Sequence, residues 1–257
     1  MKTAIVPIKN LAPEQVSRMY EIMVSYYDHI LKDQFQKDLM EKDSVILLAD
    51  RENAIQGFST LLSRDLDVNG QKILCLYSGD TVLDRAYWGN GALGIAFGRY
   101  LLSMKIRNLS RPVYWFLISK GYKTYLLMAN NFPEHYPRYE RSTPSATQDL
   151  MHAFYSKKFG NRYNSTQGLI EPVGEACAVK VHVADIDTDL LKIPRIKFFA
   201  EKNPRWQEGT ELVCVAKVTL WVPAKYVAKR IYKLLQKPFK YVKALQNQVT
   251  HSYQNHA

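Results

Sequence analysis

Apolar and polar positions along this chain follow two different periods, and the switches between them mark out its elements. "TAIVPI" (residues 3–8) reads as a short first strand. From Pro13 onward, Val16, Met19, Tyr20, Met23, Tyr27 and Ile30 recur at steps of three and four. That spacing predicts an amphipathic helix with proline in its first turn, where a missing N–H costs nothing. A shorter helix is expected over Lys32 to Glu41, and "SVILLAD" (44–50) is a continuous apolar run of the buried-strand type. "IQGFSTLLSRDLDV" and "QKILCLYSGDTVL" then flank Asn69-Gly70. That dipeptide supplies the two positive-φ residues of a tight hairpin turn.

After the hairpin comes "RAYWGNGALGIAFGRY" (85–100), with Gly89, Gly91, Gly94 and Gly98 close together. Leu93, Phe97, Tyr100, Leu101 and Met104 fall on one helical face, and the helix is expected to stop near Asn108. "PVYWFLI" follows as a strongly apolar strand. A strand–loop–helix–strand order makes a crossover whose two strands should be parallel. Further on, "GYKTYLLMAN" suits a helix, and "FPEHYPRYERSTP" carries too many prolines for anything but loop. Pro144 opens a helix capped by Ser142 or Thr143, with Leu150, Met151, Phe154 and Tyr155 inward, and the helix ends at Gly160. "EACAVKVHVADI" and "ELVCVAKVTLW" read as strands, while "RIKFFAEKNP" between them is ambiguous. No repeat or low-complexity linker divides the chain. The expected organisation is one α/β domain over 1–222 followed by a basic helical tail over 223–257.

Composition narrows the setting. The chain has 257 residues, 47% hydrophobic and 23% charged, which is globular and long enough to bury a core without staples. It holds no run of 18 apolar residues, and its first apolar run is too short for a secretory signal, so a cytoplasmic location is expected. Cys75, Cys177 and Cys214 are far apart, show no metal-ligand spacing and are odd in number; core thiols and no metal are expected. The net charge is +11, yet Pro223 to the end has no acidic residue and seven basic ones, which leaves about +4 on the body. In the tail, Val227, Ile231, Leu234 and Leu235 share one side, with Lys225, Lys229 and Lys233 nearly opposite. Such a helix suits packing on the body, an acidic carrier protein, or peripheral contact with a membrane surface. The weakly basic body argues against nucleic acid as a partner.

The glycine stretch opens a helix, and helix N-termini present free N–H groups and a favourable dipole to anions. No Gly-Lys-Ser/Thr follows, which excludes a Walker loop. Gly89, Gly91 and Gly94 do spell G-x-G-x-x-G, but the preceding strand comes from a hairpin and the acidic residue expected after the crossover is missing. Gly94 and Gly98 also suit a close helix contact. The order strand, two helices, strand, hairpin, glycine loop, helix, strand, over roughly residues 1–160, resembles the GNAT superfamily of N-acyltransferases. Tyr87, Gly89 and Gly91 match that family's pyrophosphate loop in place. Trp88 stands where arginine or glutamine is usual, and Leu93 takes the last small position, with Gly94 one residue late.

The resemblance implies a mixed, mostly antiparallel twisted sheet with splayed central strands, flanked by helices, an irregular insertion around 119–145 and a C-terminal basic helix. It implies acyl transfer from acyl-CoA, or from the phosphopantetheine arm of an acyl carrier protein, to an amine on a small molecule or peptide. The displaced cation keeps a carrier-borne or long-chain acyl donor open. Tyr87, Trp88, Gly89, Asn90, Gly91, Ala92 and Gly94 would hold the donor, and the backbone near Val82 and Leu83 would meet the oxyanion. Asp80, in an apolar strand, is the first candidate base or else caps a bulge with Gly79; His135 is the second. The leaving thiolate's acid would be Tyr155, in "AFYSKKFG", or Tyr125, in the segment directly after "PVYWFLI"; core packing fits either tyrosine too. A silent thioester-binding or carrier-binding module of the same fold, or a basic protein acting at a membrane or nucleic acid, are the alternatives.

Overall fold

The computed structural model describes residues 1–172 and 185–232. Among the described residues the sheet has nine strands: β1 (Lys2–Pro7), β2 (Ser44–Ala49), β3 (Ile55–Val68), β4 (Gln71–Leu83), β5 (Val113–Ser119), β6 (His135–Tyr136), β7 (Tyr163–Asn164), β8 (Leu169–Ile170) and β9 (Glu211–Lys217). Their order is β1-β2-β3-β4-β5-β9-β8-β7, with β6 also on β9. Of these described strands, only β4 and β5 run parallel. The helices are α1 (Pro13–Tyr26), α2 (Lys32–Met40), α3 (Ala92–Ile106), α4 (Tyr122–Ala129), α5 (Ser145–Phe159) and α6 (Pro194–Lys202), and residues 221–232 are helical as well.

Side-chain alternation along the strands sorts the core into two faces. Val45, Leu47, Phe58, Cys75, Tyr77 and Phe116 point to the side covered by α1, α2 and α5. Ile46, Leu61, Leu74, Leu76, Trp115 and Leu117 point to the side covered by α3, α4 and α6. Asn69 and Gly70 have φ of 53° and 79°, and Val68 faces Gln71 across them, as the hairpin reading requires. Cys75 and Cys214 are buried free thiols, the first pushed up to about 12 by burial.

Several expectations are revised. Pro144 is itself the N-cap residue of α5, and neither Ser142 nor Thr143 caps it through a side chain. The loop before it holds the two-residue β6, which lengthens the β9 edge. "RIKFFAEKNP" is mostly helix α6, because Ile196 and Phe199 bury on one face. The 221–232 helix spans the expected boundary at 223 and turns Val222, Tyr226 and Val227 inward, whereas Ile231 is exposed. Residues 175–184 of the strand expected at "EACAVKVHVADI", Cys177, and the tail past 232 lie outside the described residues.

Two irregularities in β4 create the site. Ser59 faces Thr81 and Leu61 faces Ser78, so Gly79 and Asp80 together oppose Thr60 as a β-bulge. Glycine is needed there, since a β-carbon at position 79 would stand 2.6 Å from Thr60 Oγ1. On the other edge, β4 stays paired with β5 only as far as Ser78 opposite Leu117. From Gly79 to Leu83 that edge has no strand partner among the described residues, and a gap opens between the two central strands.

Candidate functional site

A cavity of about 330 Å³ occupies this gap on the α3 side of the sheet. Ser78, Thr81, Val82 and Leu83 of β4 form one wall, Trp88 to Gly94 the rim, and Leu93, Phe97, Trp115 and Leu127 an apolar floor. Tyr26 and Tyr27 enter from α1, and Tyr226 and Arg230 from the 221–232 helix. Trp115 is the keystone of the floor. Its ring packs 4.9 Å from both Phe97 and Phe132, centroid to centroid, and its indole N–H donates to Ser78 Oγ at 2.9 Å. The buried indole donor is thereby satisfied, and β5 is tied to β4 at the last paired residue.

The glycine loop owes its shape to local bonds. Gly89 and Gly91 have φ of 75° and 79°, a region that side chains penalise. Asp84 accepts from the Ala86 N–H and Asn90 Oδ1 from the Ala92 N–H. The amides of Tyr87, Trp88 and Asn90 are engaged in turns, to Asp84, Arg85 and Tyr87 carbonyls. Leu93 and Gly94, in the first turn of α3, keep N–H groups with no acceptor along the helix. The amides left without an acceptor therefore lie one turn further into the helix than the loop motif suggested, at Leu93 and Gly94 and not at Tyr87 and Trp88.

Trp88 is 42% exposed at the mouth. Its Nε1 donates to Leu83 O at 2.7 Å, which clamps the loop back on β4. Lys123 lies 5.1 Å and Arg85 5.8 Å from its ring, so the aromatic face gathers cations instead of supplying one.

β4 runs into a glycine loop that starts a helix, and the parallel partner β5 leaves it immediately before a bulge. This is the arrangement that the resemblance to the GNAT superfamily led one to expect for β4, its loop and β5. No protein-family model matches the sequence, and no curated protein matches it. Among solved structures, the chain is similar to an Enterococcus faecalis protein described as a probable N-acyltransferase, with 11% identity, a TM-score of 0.38 and coverage of 50% of this chain. The chain spans about a third, 32%, of that protein's length. The Escherichia coli GNAT family N-acetyltransferase YhbS, in complex with CoA, overlaps 51% of this chain and 69% of its own, at 14% identity and a TM-score of 0.37. Tetrahymena GCN5 overlaps 87% of this chain and 99% of its own, at 7% identity and a TM-score of 0.43. What the site can do follows from its own geometry.

The expected site residues are only partly brought together. Val82, Leu83, Trp88, Gly89, Asn90, Gly91 and Gly94 line the cavity; Tyr87 and Ala92 sit beside it in the loop. Asp80 is in the bulge, half-buried, outside that lining. Its charge acts on Glu211, Asp38 and Tyr77, so it borders the gap among groups on the α2 and α5 side.

His135 is 2% exposed, its Nδ1 is 2.6 Å from Phe132 O, and burial holds its pKa below the usual imidazole value. It belongs to the β6–β9 packing, away from the cavity. Tyr125 is buried with its hydroxyl donating to Pro137 O at 3.2 Å, and its ring packs against Phe198 and Phe199. Tyr155 is wholly buried; its hydroxyl lies 2.7 Å from the carbonyl oxygens of Leu117 and Cys214 and accepts from the Cys214 N–H. It fills the ladder where β5 and β9 face each other, and burial lifts its pKa well above the usual phenol value. Neither tyrosine presents its hydroxyl to the cavity.

Three contributors escaped the sequence reading. Glu211 starts β9, pairs with Lys120 at 3.8 Å, and is raised above the usual carboxylate value by burial. Tyr226 and Arg230 come from the tail. The one sequence signal for them was the Gly94/Gly98 pair, which announces a close helix partner without naming it. Among the described residues no cluster of three metal-ligating side chains occurs, and no helix is long and apolar enough to cross a membrane.

Proposed function

We propose that this protein transfers an acyl group from a thioester on a phosphopantetheine arm to an amine. The observation that carries this reading is one continuous cavity joining the N-terminus of α3 to the open edge of β4 beyond the bulge. The arm lies along that edge with its phosphate end at Leu93 and Gly94. The thioester carbonyl reaches the edge of β4 near Val82 and Leu83 that faces away from β3, where a backbone amide stabilises the developing oxyanion. The apolar floor of Phe97, Trp115 and Leu127 suits an acyl chain longer than acetyl.

The amine approaches from the opposite mouth of the gap, where the Asp80 and Glu211 carboxylates favour an ammonium. Asp80 takes its proton as general base. The freed amine attacks the carbonyl carbon, a C–N bond forms and the C–S bond breaks, and the proton that the attacking nitrogen sheds passes through water at the cavity mouth to the leaving thiolate, which departs as the thiol. No tyrosine acid is invoked, because Tyr125 and Tyr155 are committed to backbone carbonyls. A free amino acid or a peptide side chain is the acceptor class this entrance fits.

The test is mass spectrometry of the purified protein incubated with acyl-CoA and acyl carrier protein donors of increasing chain length, each with a panel of amines. Amide product with stoichiometric free thiol is expected. Tight donor binding without thiol release would instead mark a silent thioester-binding module, and no binding of any donor would contradict the reading altogether.

A further inference from the structure

We propose that Tyr226 and Arg230, on the 221–232 helix, grip the phosphate of the donor's pantetheine arm, so that the tail returns the cation that Trp88 removes from the glycine loop. This deepens the thioester reading and rests on it. The first turn of α3 offers the Leu93 and Gly94 amides, but a helix end alone makes no site. Independent observations converge on the same point. Tyr226 is 5% exposed and lines the cavity; the polar neighbour of its hydroxyl is Arg230, a pure donor beside its ring at 5.3 Å, so its O–H finds no acceptor. That hydroxyl stands over Gly94, at the helix N-terminus. The Asn90 amide nitrogen, in the loop just before, is likewise buried without a partner. Two buried donors without an acceptor, beside free helix amides, fit an absent acceptor.

Arg230 supplies the charge. It lines the same cavity, and among the described residues no carboxylate pairs with it. Its Nε lies 3.7 Å from where a β-carbon on Gly94 would be. A guanidinium suits a phosphate because its fork can meet two oxygens at once. Beyond Arg230 a second hollow continues between α4 and the tail helix, flanked by Lys123 and Lys229. Whatever carries the phosphate on its far side meets positive charge there.

CoA and a holo acyl carrier protein both bear this phosphate, and calorimetric binding separates the contributions. The ligands are CoA, 4′-phosphopantetheine, pantetheine and a holo carrier protein; the proteins are the wild type, Arg230→Gln, Arg230→Lys and Tyr226→Phe. Wild type should hold the phosphorylated ligands tighter than pantetheine by about tenfold or more. Arg230→Gln should erase most of that preference, Tyr226→Phe part of it, and Arg230→Lys should recover some, with pantetheine binding unmoved throughout. The tighter of CoA and holo carrier protein identifies the source. Equal losses for pantetheine and CoA, or undiminished CoA binding by Arg230→Gln, would overturn the proposal while leaving the thioester reading intact. Failure of wild type to bind any of the four would overturn both.

Discussion

The Tyr226 hydroxyl lies so close over Gly94 that a β-carbon on that glycine would stand 2.5 Å from it. One turn on, a β-carbon at Gly98 would stand 2.7 Å from Val227 Cγ2 and 2.9 Å from Tyr226 Cδ1. The two glycines form the seat of the tail helix. Alanine normally favours a helix over glycine by about 1 kcal/mol. Gly98→Ala should nevertheless destabilise by about 1–3 kcal/mol, because the crowding is against packed side chains. Chemical denaturation of Gly98→Ala, Val227→Ala and the double variant gives the coupling. The double variant should be more stable than Gly98→Ala alone, and purely additive losses would mean that the two positions do not touch.

Positions 88 and 230 should be exchangeable as places for the phosphate-binding cation. Trp88→Arg in the Arg230→Gln background returns a cation to the loop and should restore part of the lost CoA affinity. Titration of CoA into the single and double variants checks this. A double variant no better than Arg230→Gln would show that the loop position cannot reach the phosphate.

Tyr155→Phe separates a pillar from a proton donor. Its hydroxyl bridges the facing backbones of β5 and β9, and removing it strands buried carbonyls. The expected loss is about 1–3 kcal/mol of stability in thermal or denaturant unfolding, with the pH profile of any acyl transfer unchanged. A shifted basic limb with unaltered stability would return Tyr155 to the chemistry.

Glu211 should cost stability as it ionises. Burial, reinforced by the Asp80 charge, raises its folded pKa above the ordinary carboxylate value, and Lys120 only partly offsets this. For an acid shifted upward, the native state binds the proton more tightly than the unfolded chain. The stabilisation is present at low pH and lost as pH rises through the folded value. Glu211→Gln should therefore gain in melting temperature relative to wild type as pH rises from about 4 to 7. A gap that narrows over that range would put the ion pair with Lys120 in control.

Asp80→Asn tests the base. If Asp80 takes the amine proton, kcat for amide formation should drop by roughly 10²–10⁴-fold with donor binding retained. Stopped thiol release with normal CoA titration is the expected pattern; unchanged turnover would pass the role to another group at the gap.

The first half of the chain was legible because its signals are local. Asn69-Gly70 dictates the hairpin, the period from Val16 to Met23 dictates α1, and the crossover from β4 to β5 follows from handedness. Gly79-Asp80 was readable as a bulge, since a glycine beside a polar residue interrupts an apolar strand. The site was legible only in its loop. His135, Tyr125 and Tyr155 look like chemistry in one dimension, but the positions of β6, α6 and β9 bury their polar atoms against backbone. Tyr226 and Arg230 lie more than 120 residues from the loop they meet, and no local period could bring them there. The spacing of Gly94 and Gly98 said only that something comes close.

A structure of the protein crystallised with CoA tests the central claim most directly. The pantetheine arm should lie along the open edge of β4 between Leu83 and Leu127, with its thiol near Val82 and its diphosphate at Leu93, Gly94 and Arg230. CoA bound elsewhere, or an arm that leaves the gap between β4 and β5 empty, would contradict the account.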